Sequence, residues 1–388
     1  MNRALEVLLV FLRLGCTSFG GPVAHLGYFR KEFVERRKWL DEPSYAGIVG
    51  LCQFLPGPAS SQVGIALGLM RAGLPGALAA FIGFTAPSAA LMILFAYLMT
   101  SLGNIAQAPW IHGLKLAAVA VVAQALWSMA RSLTPDATRI AFALAAAAIA
   151  IVLPSSVGQI AAIALGGAAG GLVLKSDDAP MPELSLPVRR AISAGSLALF
   201  FLLLLVLPFT APLGHPFALL DSFYRTGALV FGGGHVVLPL LQRATAGWID
   251  NATFLAGYGA AQAVPGPLFS FAAFLGAAMK QTPNGWSGAL LCLGAIYLPS
   301  FLLVIGALPA WHAAQRHPAM RAALKGVNAA VVGLLLAAFY SPVWTSAIFN
   351  VTDALIAATA LMLLVGAKVP SWAVVAFGAL AATAIALI

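Results

Sequence analysis

Two arginines embedded in apolar stretches are the residues whose chemistry stands out. Arg13 and Arg225 each precede by six residues the phenylalanine of a Phe-Gly-Gly break, Phe19-Gly20-Gly21 and Phe231-Gly232-Gly233. A guanidinium near the centre of a bilayer costs roughly 2.5–3.5 kcal/mol on insertion scales, so it needs a partner. That partner is an acid of the chain (Glu6 or Asp221), the membrane surface reached by snorkelling, or an anion in an aqueous cavity. The glycine breaks let a backbone approach a ligand, and a helix starting behind one offers free N–H groups to negative charge. Gln53 and Gln262 lie just before Pro56-Gly57-Pro58 and Pro265-Gly266-Pro267, where an amide can orient an oxyanion or cap a broken helix. Ser60 and Ser270 follow these turns as N-cap-like residues. His25 and His235 flank the glycine breaks and could relay a proton or simply pack, and Lys115, about five residues into a span, could line an anion pathway or snorkel.

These residues come in pairs because the chain is duplicated. Phe11, Arg13, Gly15, Phe19, Gly20 and Gly21 return 212 residues later as Phe223, Arg225, Gly227, Phe231, Gly232 and Gly233. Trp39-Leu40-Asp41 returns as Trp248-Ile249-Asp250 and Gln53 as Gln262, each 209 residues on, and Pro87-Ser88 returns as Pro299-Ser300 at 212.

The elements that position them must be membrane helices. The chain is 61% hydrophobic and 9% charged with mean hydropathy +0.95, against a charged fraction near a quarter in soluble domains. Apolar runs of helical length without sustained period-2 alternation exclude a barrel. Two stretches per copy are too short to span and are interrupted by Gly or Pro, which reads as broken or re-entrant helices with free backbone groups at membrane depth. The expected architecture is an all-α polytopic membrane protein of two homologous, inverted repeats. The first repeat covers 1–174, a polar linker 175–190, a connecting span 191–209, and the second repeat 210–388. If both broken pairs re-enter, five spans separate the copies, an odd number, so they face opposite ways. Fifteen Lys and Arg residues then fall on the side of the Arg30 to Lys38 loop, and Arg243 and Lys280 on the other. If either pair crosses instead, that count changes.

Several function classes drop out. The net charge of +9 is explained by loop bases under the positive-inside rule, without nucleic acid. Cys16, Cys52 and Cys292 have no metal-ligand spacing, and no cofactor is implied. Arg13 interrupts the first apolar run, which recurs internally, so that run belongs to the fold and is not a leader peptide. Motifs of zinc proteases, serine hydrolases and phosphate loops are missing, so the chain does not read as an enzyme. Acids in or near apolar runs are few (Glu6, Asp221, Asp353), which disfavours a carboxylate-based cation pump and points to a negative substrate.

At Ser18-Phe19-Gly20-Gly21-Pro22, Trp39-Leu40-Asp41, Gln53-Phe54-Leu55-Pro56-Gly57-Pro58, Phe231-Gly232-Gly233-Gly234-His235 and Ala263-Val264-Pro265-Gly266-Pro267 the chain resembles the chromate ion transporter family in its long, two-domain form. The likeness covers almost the whole length. It implies export of chromate, a tetrahedral dianion like sulfate, across the bacterial inner membrane, driven by membrane potential or a proton gradient, and hence chromate resistance. A carrier of sulfate or another oxyanion and a passive anion channel are the alternatives. The expected partners are the oxyanion, the lipid bilayer and a coupling proton; oligomeric state stays open.

Overall fold

The computed structural model describes residues 2–19, 21–101, 108–153, 156–175, 189–230, 237–307 and 318–387. The first repeat comprises α1 (Arg3–Thr17), α2 (Gly21–Phe29, prolonged by a π-helical turn Arg30–Arg36), α3 (Glu42–Phe54), α4 (Ala59–Ser101), α5 (Pro109–Leu133), α6 (Ala137–Val152) and α7 (Ser156–Val173). The connecting helix α8 (Arg190–Thr210) leads to α9 (His215–Leu229), α10 (Val237–Thr245), α11 (Asn251–Ala263), α12 (Phe271–Ala278), α13 (Gly285–Ala307), α14 (Pro318–Ala338), α15 (Val351–Val365) and α16 (Ser371–Ala386). No strand occurs among the described residues. Among the described residues, five helices are long and apolar enough to cross a membrane. Exposed Phe201, Leu202, Leu205 and Phe209 give α8 the apolar outer surface of a lipid-facing helix.

The Trp-x-Asp motif has a local purpose. Asp41 and Asp250 are N-caps, accepting the amide hydrogens of Ser44 and Thr253 and so starting α3 and α11 at equivalent places. Both helices have 13 residues, about 20 Å, which is too short for a hydrocarbon layer of about 30 Å. Each stops at its Pro-Gly-Pro turn inside the protein.

Both short pairs of the first repeat enter and leave by one face. Glu6, in the first turn of α1, is bound by Arg37 at the end of the π-turn (3.4 Å) and by Arg71 at the end of the first arm of α4 (2.9 Å). The Arg71 guanidinium also lies 5.0 Å from the Trp39 ring, just ahead of α3. Helix α4 breaks at Ala72 and Gly73, and Gly68 packs against Gly76 across the bend. The pairs α1–α2 and α3–α4 are therefore re-entrant hairpins. In the second repeat His215 and Trp248 meet ring to ring at 5.1 Å, and Gly276 packs against Gly288 where α12 turns into α13.

The second repeat is upside down relative to the first. Gly285, at the outer end of its hairpins, adjoins the Tyr97 hydroxyl. Tyr97 sits 22 residues beyond Pro75 on α4, about 33 Å from the end where Arg71 closes the first repeat's hairpins. The long arm of α4 thus joins opposite faces.

The last helices are exchanged between repeats. Helix α5 packs on α15 and α16, and α14 packs on α6 and α7. Glycines make both seams close: Gly113 against Gly378, and Gly326 against Gly166 and Gly170. The inversion predicts that Lys38→Cys and Lys280→Cys, in a cysteine-free background, react with a membrane-impermeant maleimide from opposite sides of sealed vesicles. Labelling of both from one side would contradict it.

Candidate functional site

The two Pro-Gly-Pro turns do not close on their own repeat. The Gly57 N–H donates to the Val230 carbonyl at 2.6 Å, and the Gly266 N–H donates to the Ser18 carbonyl at 2.9 Å. Ser18 and Val230 are 212 residues apart and end α1 and α9 immediately before the glycine breaks, so each turn docks on the break of the other repeat. Such reciprocal contacts are the mark of a two-fold axis. Both turn glycines have positive φ (+126° and +95°), a region that disfavours a β-carbon.

Around this crossing lie buried polar groups with unused hydrogen-bonding capacity. A β-carbon on Gly57 would stand 2.7 Å from Ser300 Oγ, and one on Gly266 would stand 3.1 Å from Ser88 Oγ. The repeated Pro-Ser pair therefore brings one hydroxyl to each turn, from the opposite repeat. Ser18 Oγ, Ser300 Oγ, Gln62 Oε1 and Gln262 Nε2 are buried and have no hydrogen-bond partner among the described residues. Gln62 Nε2 donates to the Pro56 carbonyl at 2.7 Å, and Ser61 Oγ lies 3.5 Å from the Tyr297 hydroxyl. His25 is fully buried, its Nε2 3.2 Å from the Ser18 carbonyl and its Nδ1 3.4 Å from Ser60 Oγ. A carbonyl only accepts, so Nε2 carries the proton and Nδ1 accepts from Ser60.

The expected site residues fare differently. Gly57, Pro56, Pro58, Ser60, His25, Gly266, Pro265, Pro267 and Ser270 gather at or beside the crossing, as does Gln262, whose carbonyl accepts from Ser371 at 3.2 Å. Phe19 is half-buried against Trp372 of α16 (6.2 Å), and Gly21 opens α2 with φ +76°. Gly20, Phe231, Gly232, Gly233 and His235, and the side chain of Gln53, lie outside the described residues. Neither serine caps with its side chain: Ser60 lies inside α4 and points to His25, and Ser270 holds the N-cap position of α12 without a side-chain bond. Arg13 is exposed on α1 and Glu6 binds Arg37 and Arg71 instead, whereas Arg225 is paired with Asp221 (2.6 Å). Lys115 is buried on α5, with Asp250 acting on it electrostatically. Sequence reasoning missed Ser18, Gln62, Tyr297 and Ser300; the duplicated Pro-Ser pair was the available signal for the last.

Without a carboxylate among the described groups at the crossing, the arrangement offers N–H and O–H donors to a small anion. The sequence model of the chromate transporter family matches residues 5–171 and 217–383. The chain belongs to the chromate transporter family. This family consists of transporters, not enzymes, and the two matched regions are the two repeats. Among curated relatives, the "Probable chromate transport protein" of Synechococcus elongatus is 28% identical over 334 residues, 84% of this chain and 81% of that protein. The "Chromate transport protein" of Cupriavidus metallidurans is 26% identical over 340 residues (86% and 81%). An uncharacterised transporter of Methanocaldococcus jannaschii is 25% identical over 346 residues (86% and 83%). No solved structure matches the chain.

Gly57→Ala and Gly266→Ala should each lower stability by about 1–3 kcal/mol through backbone strain, read by thermal unfolding in detergent. Ser300→Ala should change stability by less than about 0.5 kcal/mol, because no bond is lost, yet weaken oxyanion binding by about 1 kcal/mol. Unchanged binding in titration calorimetry would remove Ser300 from the site.

Proposed function

We propose that this chain is a secondary transporter that exports chromate, or a closely similar tetrahedral oxyanion, from the bacterial cytoplasm across the inner membrane and thereby confers chromate resistance. The observation that carries the reading is the crossing of the two Pro-Gly-Pro turns on the helix ends at Ser18 and Val230, beside buried donors that have no partner among the described residues. A tetrahedral dianion needs converging donors of this kind in a setting poor in carboxylates. The printed names of the relatives from Synechococcus and Cupriavidus favour chromate among such anions.

The orientation follows from charge. The face carrying Glu6, Arg37 and Arg71 also carries the Arg30 to Lys38 loop, and the positive-inside rule makes it cytoplasmic. Bases on that side raise the local concentration of anions. Moving one negative charge outward through 100 mV is worth about 2.3 kcal/mol, so the membrane potential aids export. Access alternates as one repeat rocks against the other around the crossing. Arg225 supplies charge on the second-repeat side, whereas Arg13 is exposed on α1 and stays outside the site. In everted vesicles chromate should accumulate above equilibrium, and an uncoupler should collapse the gradient. Uptake that never exceeds equilibrium would leave a passive channel, and sulfate competing on equal terms would leave a general oxyanion carrier.

A further inference from the structure

The ion pair within α9 has no counterpart in α1. Arg225 Nη2 lies 2.6 Å and 2.5 Å from the two carboxylate oxygens of Asp221, one turn earlier on the helix. The residue one turn before Arg13 is Leu9, and Arg13 has no ion partner among the described residues. Duplication therefore left two equivalent arginines, of which one has a tethered anion.

That anion faces a cavity. Asp221 is buried and Arg225 half-buried, and both line a space of about 110 Å³ between α7, α9 and α10, with Gln159, Ser222 and Thr226 as its other polar walls. Gln159 reaches in from α7 and donates to the Pro239 carbonyl at 3.2 Å. From Arg225 the helix runs five residues to Val230, the acceptor of the Gly57 N–H, so the pair stands about 7.5 Å along the axis from the crossing.

We propose that Asp221 is a built-in competitor of the transported anion and the proton-binding group of the transport cycle. This rests on the reading of the chain as an oxyanion carrier. With the site empty, the Asp221 carboxylate neutralises Arg225. When an oxyanion takes the guanidinium, the displaced carboxylate has no other cation paired with it among the described residues and takes up one proton on oxygen. No bond in the oxyanion changes. On release, loss of that proton restores the ion pair and blocks rebinding. Linkage makes the effect reciprocal: protonation of Asp221 raises anion affinity by the same factor by which the anion raises proton affinity. A dianion travelling with its proton carries one net negative charge.

No other group in the vicinity fills this role among the described residues. On α9 itself, His215 meets Trp248 edge to face at the far end, and the Tyr224 hydroxyl donates to the Phe200 carbonyl. On α10, Arg243 donates to the Ala150 carbonyl. Helix α7 has no titratable residue, α8 has only Arg190 at its start, and α13 has Cys292 and Tyr297, the latter beside Ser61 at the crossing.

The test is chromate binding to the full-length protein in lipid nanodiscs at about pH 8, where free carboxylates are ionised. Affinity is read by titration, and proton uptake by a pH indicator in weak buffer. Wild type should take up close to one proton per chromate bound. Asp221→Asn and Asp221→Leu, the latter carrying the residue type found in repeat one, should take up none and bind chromate roughly tenfold more tightly. Arg225→Gln should weaken binding and abolish proton uptake. Chromate binding by wild type without proton uptake overturns the assignment with no variant needed, as do Asp221 variants that retain wild-type uptake and affinity. If wild type binds neither chromate nor sulfate, the oxyanion reading itself falls.

Discussion

Everything in this molecule depends on two backbone hydrogen bonds made across a pseudo-two-fold axis. In lipid a peptide group without a partner costs several kcal/mol, so a chain that stops a helix halfway must find its partners inside the protein. Here the Gly57 and Gly266 amides find the carbonyls that end the opposite repeat's first helix. The same exchange fixes the depth of both turns. Beside it, Ser18 Oγ, Ser300 Oγ and Gln262 Nε2 keep their donors free among the described residues.

Much of this was legible in the sequence, because duplication is a physical signal that composition cannot mimic. Repeating Arg13, Phe19, Trp39, Asp41 and the Pro-Gly-Pro turns announced two copies, and 12-residue apolar runs beside a turn announced broken helices, leaving open whether they cross or re-enter. What the sequence could not disclose was which copy each turn touches. A two-fold exchange of Ser18 for Val230 leaves no pattern in a linear chain. Nor could it show that Ser60 serves His25 instead of a helix end, since a serine after a turn looks the same in either role. Glu6 was a reasonable partner for Arg13 by helical spacing, but Arg37 and Arg71 lie closer in space.

The duplication also explains why the repeats are unequal. Helix α9 is covered by α8, whose Phe200 carbonyl accepts the buried Tyr224 hydroxyl, and by α10 and α13. Helix α1 has no such cover, and its Leu5, Leu9, Leu12 and Arg13 face outward. Helix α8 thus covers one side of α9, and the Asp221–Arg225 pair lies on another, facing α7 and α10 across the cavity.

The exchange of the closing helices bears on how the chain is made. As the ribosome delivers the first repeat, α5 emerges without α15 and α16, and α6 and α7 without α14. Their glycine seams, including Gly113 and Gly166, stand open to lipid until roughly the last quarter of the polypeptide arrives. The first repeat is thus an unfinished half by construction, and assembly ends with α14, α15 and α16 closing both halves at once.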